Sequence, residues 1–294
     1  MFQEIVDRYS PYGFKLDAAG LPVVAYHYTD AGGLVGMLSS DAIWASEYRF
    51  LNDRSEVQHT LAIVRSLLLK RTDRQCANDL RKLCAKILQE LDKPQDTEVC
   101  VFSLSEDGDS LSQWRGYAHD GQGFTLGFDV NALVRAGEAD DAVFCFSKVE
   151  YDATKQQLGL SKALEEVERE FTKRIADGQS RAHVITAAAN AFDLITWNRA
   201  VNNKHVSFES EREWRISSFS NAAEMKVRAR QNGLAPYLEL TAKELCGLEK
   251  LPLREIGIGP GFSLQDQLPA VKALCRQYGY KPRIYSASAP YRSL

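Results

Sequence analysis

Blocks of helix-like and strand-like hydrophobic pattern alternate along the chain. Apolar residues recur at helical spacing over two long stretches, residues 55–91 and 153–202, and the first stretch has a break near residues 72–73. Short runs rich in β-branched and aromatic residues predict strands at residues 23–28, 43–46, 98–104, 123–128, 214–219, 237–240, 254–258 and 282–285. Because these strands occur at irregular intervals, the pattern argues against a repeating βαβ fold. It predicts an α+β protein with a mixed, mainly antiparallel sheet and two helical insertions.

Composition and charge narrow the class of protein. The 294 residues are 45% hydrophobic and 26% charged, which are ordinary values for a globular chain. The net charge of −3 gives no overall attraction to phosphate backbones, so a nucleic-acid target would need a local basic patch. The longest apolar runs fall short of the roughly 18 residues that a membrane helix needs, and the first residues lack the basic start of a signal peptide. We therefore expect a cytoplasmic protein with no membrane partner.

Cysteine and histidine spacing predicts no metal site. The six cysteines are dispersed along the chain, and no two of them form a C-x-x-C pair. No cysteine or histidine residues have the spacing of zinc ligands. In a reducing compartment such cysteines are typically small buried hydrophobes.

The first candidate motif is Tyr26-His27-Tyr28-Thr29, at the end of a predicted strand. Alternation along a strand places His27 and Thr29 on one face and the two tyrosines on the other. A neutral imidazole offers one donor and one acceptor, so together with a hydroxyl it can bind a ribose diol. The alternative is a histidine buried in an aromatic strand with its hydrogen bonds satisfied.

A second motif follows the strand at residues 43–46. Here aromatic residues are interleaved with Arg49, Asn52 and Asp53 just before a predicted helix. Arg49 is a candidate clamp for a phosphate or carboxylate. Asn52 or Asp53 can instead cap the helix that follows, and for Asp53 we favour that interpretation.

A third motif combines serines at a strand end with a short predicted helix that presents Trp114 and Tyr117. These two side chains are three residues apart and share a helix face. Such a face can stack on a flat, cationic ring. The alternative is an aromatic pair buried in the core.

The fourth motif is the charged segment Phe208–Ile216. If it is a strand, then Glu209, Glu211 and Glu213 point to one face, where the carboxylates repel one another. That arrangement is tolerable where the face lines a wet cleft or meets cations. The alternative is a solvated edge strand whose charges pair.

Taken together, the strings Y-H-Y-T, F-L-N-D, F-S-L-S, W-R-G-Y, G-F-T-L-G-F and E-R-E-W-R resemble the bacterial domain-of-unknown-function family 2971, as do G-I-G-P and Pro290-Tyr291-Arg292 near the end. The resemblance covers nearly the whole chain. More distantly, the order of a histidine, an aromatic and a glutamate resembles the His-Tyr-Glu arrangement of ADP-ribosyltransferases. The H-Y-T start followed by Leu34 and Leu38 is similar to the DNA-modifying toxins of that superfamily.

The resemblance implies a single domain over residues 1–294, with a split, mainly antiparallel ADP-ribosyltransferase-like sheet core and helical insertions near residues 55–92 and 154–202. It implies that His27 and Thr29 hold the adenosine ribose of NAD, and that Tyr117 or Trp114 stacks on nicotinamide. Glu213 would then be catalytic, although Glu211 could equally take that role.

The expected activity is NAD-dependent ADP-ribosyl transfer, or NAD hydrolysis, in a toxin or a phage-defence effector. Breaking the nicotinamide–ribose bond creates positive charge on the sugar, and a carboxylate stabilises that charge without a metal. The acceptor is a protein, a nucleic acid or water. The alternatives are a non-catalytic nucleotide-binding or sensing module and an interaction scaffold with no active site.

Overall fold

The computed structural model of the protein divides into two compact units, and the single domain over residues 1–294 that the resemblance implies stays a prediction. The residues that it describes are 1–9, 21–51, 55–72, 77–93, 98–137, 144–220, 224–230 and 233–289. The helical unit comprises Met1–Lys15, Leu51–Asp96 and Val149–Glu209. The sheet unit comprises Leu16–Phe50, Thr97–Lys148 and Ser210–Leu294.

Helices occur in both units. The α-helices of the described residues are α1 (Gln3–Tyr9), α2 (Ala31–Ser40), α3 (Ser55–Thr72), α4 (Asn78–Leu91), α5 (Leu111–Tyr117), α6 (Val130–Gly137), α7 (Ala153–Ala176), α8 (Arg181–Ala200), α9 (Ala242–Cys246) and α10 (Leu264–Tyr278). Short 3-10 helices lie at Tyr48–Phe50 and Val206–Glu211. Among the described helices, none is both long enough and apolar enough to cross a bilayer.

The helical unit is built around α8, which packs against α3, α4 and α7. Its buried residues include Ala188, Ala189, Ala191, Ala200 and Phe192, and the small side chains let neighbouring helices approach closely. The helical periodicity predicted at residues 55–91 and 153–202 is confirmed, and these segments pack with α1 in a unit of their own.

Ten strands form the described sheet, in the order β10-β9-β4-β1-β3-β2-β8-β7, with β6 paired to β3 and β5 paired to β6. The strands are β1 (Val24–Thr29), β2 (Ala42–Glu47), β3 (Glu98–Ser105), β4 (Phe124–Asp129), β5 (Cys145–Lys148), β6 (Glu213–Ser220), β7 (Lys226–Arg230), β8 (Gly233–Thr241), β9 (Leu253–Ile258) and β10 (Arg283–Ser286). Every pair is antiparallel except β9 and β10. The predicted mixed, mainly antiparallel architecture is confirmed.

The sheet is split along one edge of β3. Strand β6 pairs with the whole length of β3 and so occupies its other edge. On the split edge, β1 pairs only at Tyr26↔Ser105, while β2 pairs only at Ser46↔Val101 and Glu47↔Cys100. Between these contacts, the backbone of residues 102–104 pairs with none of the described strands on that edge. We call this gap between β1 and β2 the notch.

The two faces of the sheet differ in character. One face packs against α2, α6, α9 and α10 and carries the hydrophobic core, which includes Ala25, Phe102, Leu104, Leu126, Phe128, Trp214 and Ile216. Directly paired residues of antiparallel strands share a face, and neighbours along a strand alternate. Ser105 pairs with both Tyr26 and Glu213, so these three residues lie on the face opposite the core.

Candidate functional site

His27 lies at the notch and forms a hydrogen bond with the backbone of β3 at a point where neither β1 nor β2 pairs with that strand. Its Nδ1 donates to the carbonyl oxygen of Ser103 at 2.9 Å, and its ring stacks on Phe102 with centroids 4.1 Å apart. The imidazole thus provides the hydrogen bond that a neighbouring strand would otherwise give.

The pKa of His27 is lowered to about 4, chiefly by burial and also by the charges of Arg228 and Arg230, against the opposing effect of the bond to Ser103. The ring is therefore neutral at pH 7. Because a carbonyl only accepts, Nδ1 carries the proton and Nε2 presents a lone pair as an acceptor.

Thr29 and Asp30 connect β1 to α2. The Asp30 side chain accepts from the backbone N–H of Gly33 at 2.7 Å and caps the helix. Gly33 leaves room for Thr29, since a Cβ at that position would lie 2.0 Å from the Thr29 hydroxyl oxygen. The hydroxyl of Thr29 therefore packs against the start of α2, and its predicted contact with a ribose stays a prediction.

Two arginines of β7 converge on β2. Arg228 and Arg230 each donate an Nη2 hydrogen bond to the hydroxyl oxygen of Ser46, both at 2.8 Å. Arg230 also donates to the backbone carbonyl of Phe50 at 2.8 Å. Within the described part of the chain, neither guanidinium forms a salt bridge. We call Arg228 and Arg230 the arginine pair.

The arginine pair is held close together at an electrostatic cost. Burial, followed by the charge of Arg230, lowers the pKa of Arg228 to about 10. Asp30 is near enough to oppose that shift weakly. The Arg228 guanidinium lies over the rings of Trp44 and Tyr237, 5.4 and 5.5 Å from their centroids, which fixes its position.

Around the rings of Trp44 and Tyr237, hydrogen-bond donors outnumber acceptors. Arg228 Nε and Trp44 Nε1 are buried, and neither has a hydrogen-bond partner among the described residues. A buried donor without an acceptor costs about 1–3 kcal/mol. The cluster therefore favours a ligand that only accepts, such as an oxyanion.

A second cluster joins α5 to the segment before β6. The hydroxyl of Tyr117 donates to Glu211 Oε1 at 2.9 Å, and the Ser105 hydroxyl donates to the backbone carbonyl of Glu211 at 2.8 Å. These contacts bring together an aromatic side chain and a carboxylate that are 94 positions apart in sequence. Both side chains are half-buried. We call Tyr117 and Glu211 the tyrosine–glutamate pair.

Trp114 does not form the predicted stacking face. It is fully buried, its Nε1 donates to Asp109 at 2.9 Å, and its ring packs edge-on against Tyr28. A side chain enclosed in this way cannot receive a ligand ring, so the core alternative is correct for Trp114. Of the predicted aromatic pair, Tyr117 is the one whose ring is only half-buried, and its hydroxyl donates to Glu211.

The prediction of three glutamates on one strand face is wrong. Residues 206–211 form a 3-10 helix, and Arg212 takes a left-handed conformation with φ of 46°, so β6 begins only at Glu213. Glu209 and Glu211 precede the strand, so the alternation of side chains along β6 does not apply to them.

Glu213 is neutralised by a neighbour on its own strand. Both of its carboxylate oxygens accept from Arg215, at 2.8 Å from Nε and 2.9 Å from Nη2, and both side chains are buried. The repulsion expected between carboxylates on this face is replaced by an ion pair. Register also separates Glu213 from His27, because Tyr26 shares the face of Glu213 and its neighbour His27 packs on Phe102 on the core side.

Arg49 is not a free clamp. It forms salt bridges with Glu47 at 2.9 Å and with Glu98. Burial raises the pKa of Glu47, and the hydrogen bonds and charge of Arg49 oppose that shift. The charge of Arg49 therefore faces two carboxylates within the fold, and its predicted role as a clamp for a ligand phosphate or carboxylate stays a prediction. Asn52 and Asp53, and also Pro290-Tyr291-Arg292, lie outside the described residues.

Sequence reasoning missed the arginine pair. Residues 226–230 alternate between charged and apolar side chains, which is a strand signal, and it would have placed Arg228 and Arg230 on one face. As for metals, the described residues contain no group of three His, Cys, Asp or Glu side chains that could hold an ion.

Comparison with known proteins gives one match. Residues 113–216 match the model of a family described as "Protein of unknown function (DUF2971)". That span contains Tyr117, Glu211 and Glu213, but neither His27 nor the arginine pair. Searches of curated proteins and of solved structures found no match. Over residues 113–216, this chain is therefore similar to the domain-of-unknown-function family 2971.

Proposed function

We propose that the sheet unit binds NAD and cleaves its nicotinamide–ribose bond, passing the ADP-ribosyl group to a macromolecular acceptor or to water. The observation that carries this proposal is the hydrogen bond between Tyr117 and Glu211. It joins an aromatic ring and a carboxylate beside β3, the strand whose split edge holds His27. An ADP-ribosyltransferase-like fold with a split sheet is part of the same proposal.

Glu211 is the better candidate for the catalytic carboxylate. As the bond between nicotinamide and ribose C1′ breaks, nicotinamide leaves with the electron pair and positive charge develops on the sugar. A carboxylate beside the sugar stabilises that charge. Glu213 is poorly suited, because Arg215 already neutralises it and would repel the developing cation.

The other residues have supporting roles. Tyr117 orients the Glu211 carboxylate through its hydroxyl, and its half-buried ring can pack against nicotinamide. His27 is neutral and presents Nε2 as an acceptor, but it lies on the core side of the sheet. Tyr117 and Glu211 pack beside Tyr26 and Ser105 on the opposite face, so the contact of His27 with a ribose stays a prediction. The acceptor oxygen then forms its bond to C1′, and its proton passes to Glu211 or to solvent.

The test is incubation of the purified full-length protein with NAD, followed by chromatography for free nicotinamide. Glu211→Gln keeps the size and hydrogen-bonding capacity of the side chain and removes its charge. We expect the rate of nicotinamide release to fall about 100-fold, the scale seen when one preorganised electrostatic group is lost. Glu209→Gln is the matched control, since Glu209 lies in the same 3-10 helix and is exposed.

Two outcomes would contradict the proposal: no nicotinamide release by the wild-type protein, or a Glu211→Gln variant that is as active as wild type. A second candidate function, a non-catalytic nucleotide-binding module, is favoured by the arginine pair, which supplies anion binding without chemistry. Binding of ADP-ribose without any release of nicotinamide from NAD would support that module instead.

A further inference from the structure

We infer that Arg228, Arg230 and Ser46 form a binding site for a diphosphate group. The ligand class is a nucleoside diphosphate derivative such as ADP-ribose. The identity of the nucleotide rests on the proposed function, whereas binding of the diphosphate itself does not. Neither the sequence motifs nor the family match assigns this site.

The first argument is convergence. Two guanidinium groups meet on one hydroxyl oxygen, each at 2.8 Å. Ser46 accepts both of these hydrogen bonds, which leaves its own O–H to donate. Guanidinium groups present planar, forked donors that match phosphate oxygens in bidentate geometry. A dianionic ligand would also relieve the repulsion between the two cations.

The second argument is the contrast with another cation on the same strand. Lys226 lies two residues before Arg228, and it forms a salt bridge of 2.6 Å with Glu239 on the adjacent strand. Among the described residues, the two arginines have no such carboxylate within reach. Asp30 is the acidic residue whose charge raises the pKa of both arginines, and its carboxylate already caps α2.

The third argument is rigidity. Arg228 lies over two aromatic rings, and Arg230 is anchored on the carbonyl of Phe50. Arg228 Nε and Trp44 Nε1 are buried donors that no described residue satisfies. Groups held in place before the ligand arrives lose little conformational freedom on binding. This cluster is therefore built for an acceptor-only ligand rather than for a loose counter-ion.

A small diphosphate fits better than a nucleic acid. The chain has a net charge of −3, so no broad field attracts a polyanion. Both arginines focus on a single oxygen, which suits two linked phosphates and not the spaced phosphates of a strand.

The test is isothermal titration of the full chain with inorganic pyrophosphate, ADP-ribose and adenosine, in wild type and in Arg230→Gln. Arg230 is exposed, so its replacement should leave folding intact. We expect at least a tenfold loss of affinity for pyrophosphate and for ADP-ribose, and no change for adenosine. Arg228→Gln should behave similarly, and Ser46→Ala provides a third variant if Arg228→Gln does not fold. Lys226→Gln is the matched control and should bind like wild type.

The inference is overturned if pyrophosphate binds wild type no better than sulfate does, or if Arg230→Gln binds pyrophosphate like wild type. It is also overturned if a single-stranded oligonucleotide displaces pyrophosphate at a lower phosphate concentration than ADP-ribose does. The proposed function fails separately: pyrophosphate binding that Arg230→Gln weakens, in a protein that releases no nicotinamide, leaves the inference standing. Nicotinamide release with unaltered pyrophosphate binding in Arg230→Gln rejects the inference alone.

Discussion

Arg215 and Arg228 both project from strands of one sheet, yet their surroundings differ. Arg215 is 1% exposed and forms a two-bond ion pair with Glu213. Arg228 lies over two aromatic rings, donates to the hydroxyl of Ser46, and has a second arginine beside it. In the first arrangement the carboxylate of Glu213 balances the charge of Arg215, and the ion pair stabilises the fold. In the second arrangement two positive charges lie close together. A structural role does not require this concentration of charge, so we interpret it as a ligand site.

The largest effect expected from this comparison follows from breaking the buried ion pair. Glu213→Gln removes the carboxylate that accepts two hydrogen bonds from the buried Arg215. Loss of one member of a buried pair typically costs about 3–5 kcal/mol of unfolding free energy. Urea denaturation followed by tryptophan fluorescence measures this loss. A variant as stable as wild type would show that Arg215 is neutralised by other groups.

The second prediction concerns His27 and pH. Its pKa is about 4 in the folded protein and 6.5 in the unfolded chain. As pH falls from 6.5 to 4, the unfolded state takes up a proton that the folded state does not. Stability is therefore complete above pH 6.5 and is lost across that window, by on the order of 1–3 kcal/mol.

Urea denaturation at pH 7.0, 5.5 and 4.5 checks this, in wild type and in His27→Gln. The glutamine amide can still donate to Ser103 but does not titrate. The variant should show a smaller loss of stability across the window than wild type. Parallel pH profiles for the two proteins would contradict a neutral, buried His27.

Much of the fold could be predicted from the sequence because the hydrophobic period is strong in most elements. Short β-branched and aromatic runs identified β1 and β4, and helical spacing identified the segments that hold α3, α4, α7 and α8. Helix α1 was not predicted. Strand β5 was missed, since four residues are too few to show a period. Strand β7 was also missed, although residues 226–230 alternate between charged and apolar side chains, and in the structure Arg228 lies over the ring of Tyr237 on the neighbouring strand.

The site was less predictable than the fold. Spacing alone placed Glu209, Glu211 and Glu213 on one face, but a single left-handed residue, Arg212, ends that register. Sequence also cannot tell a buried aromatic from an available one, and so it treated Trp114 and Tyr117 alike. The contact between Tyr117 and Glu211 depends on tertiary packing over 94 positions, which local pattern does not encode.

The third prediction tests the aromatic support of the arginine pair. Gly36 of α2 faces Trp44, and a Cβ there would lie 2.0 Å from the indole ring. Gly36→Ala therefore forces the ring to move, at a cost of about 1–3 kcal/mol from overpacking. Because Arg228 rests on that ring, pyrophosphate affinity should fall as well.

Gly116→Ala is the control for Gly36→Ala, since a Cβ at Gly116 meets nothing within 4 Å and Gly116 also lies in a helix. It should keep both wild-type stability and pyrophosphate affinity. Unchanged pyrophosphate binding in Gly36→Ala, despite lower stability, would show that Trp44 does not position Arg228.

The smallest expected effect completes the comparison with Arg215. Arg230→Gln removes a charge that no described carboxylate balances. That charge also repels the Arg228 guanidinium and lowers its pKa. We expect the unfolding free energy to stay within about 0.5 kcal/mol of wild type, or to rise slightly as the repulsion is relieved. Loss of the hydrogen bond to Phe50 works in the opposite direction, which keeps the net change small. Urea denaturation in low and in high salt separates these contributions, because only the repulsion is screened. A loss of more than about 1.5 kcal/mol would place Arg230 with Arg215, as a residue that holds the fold together.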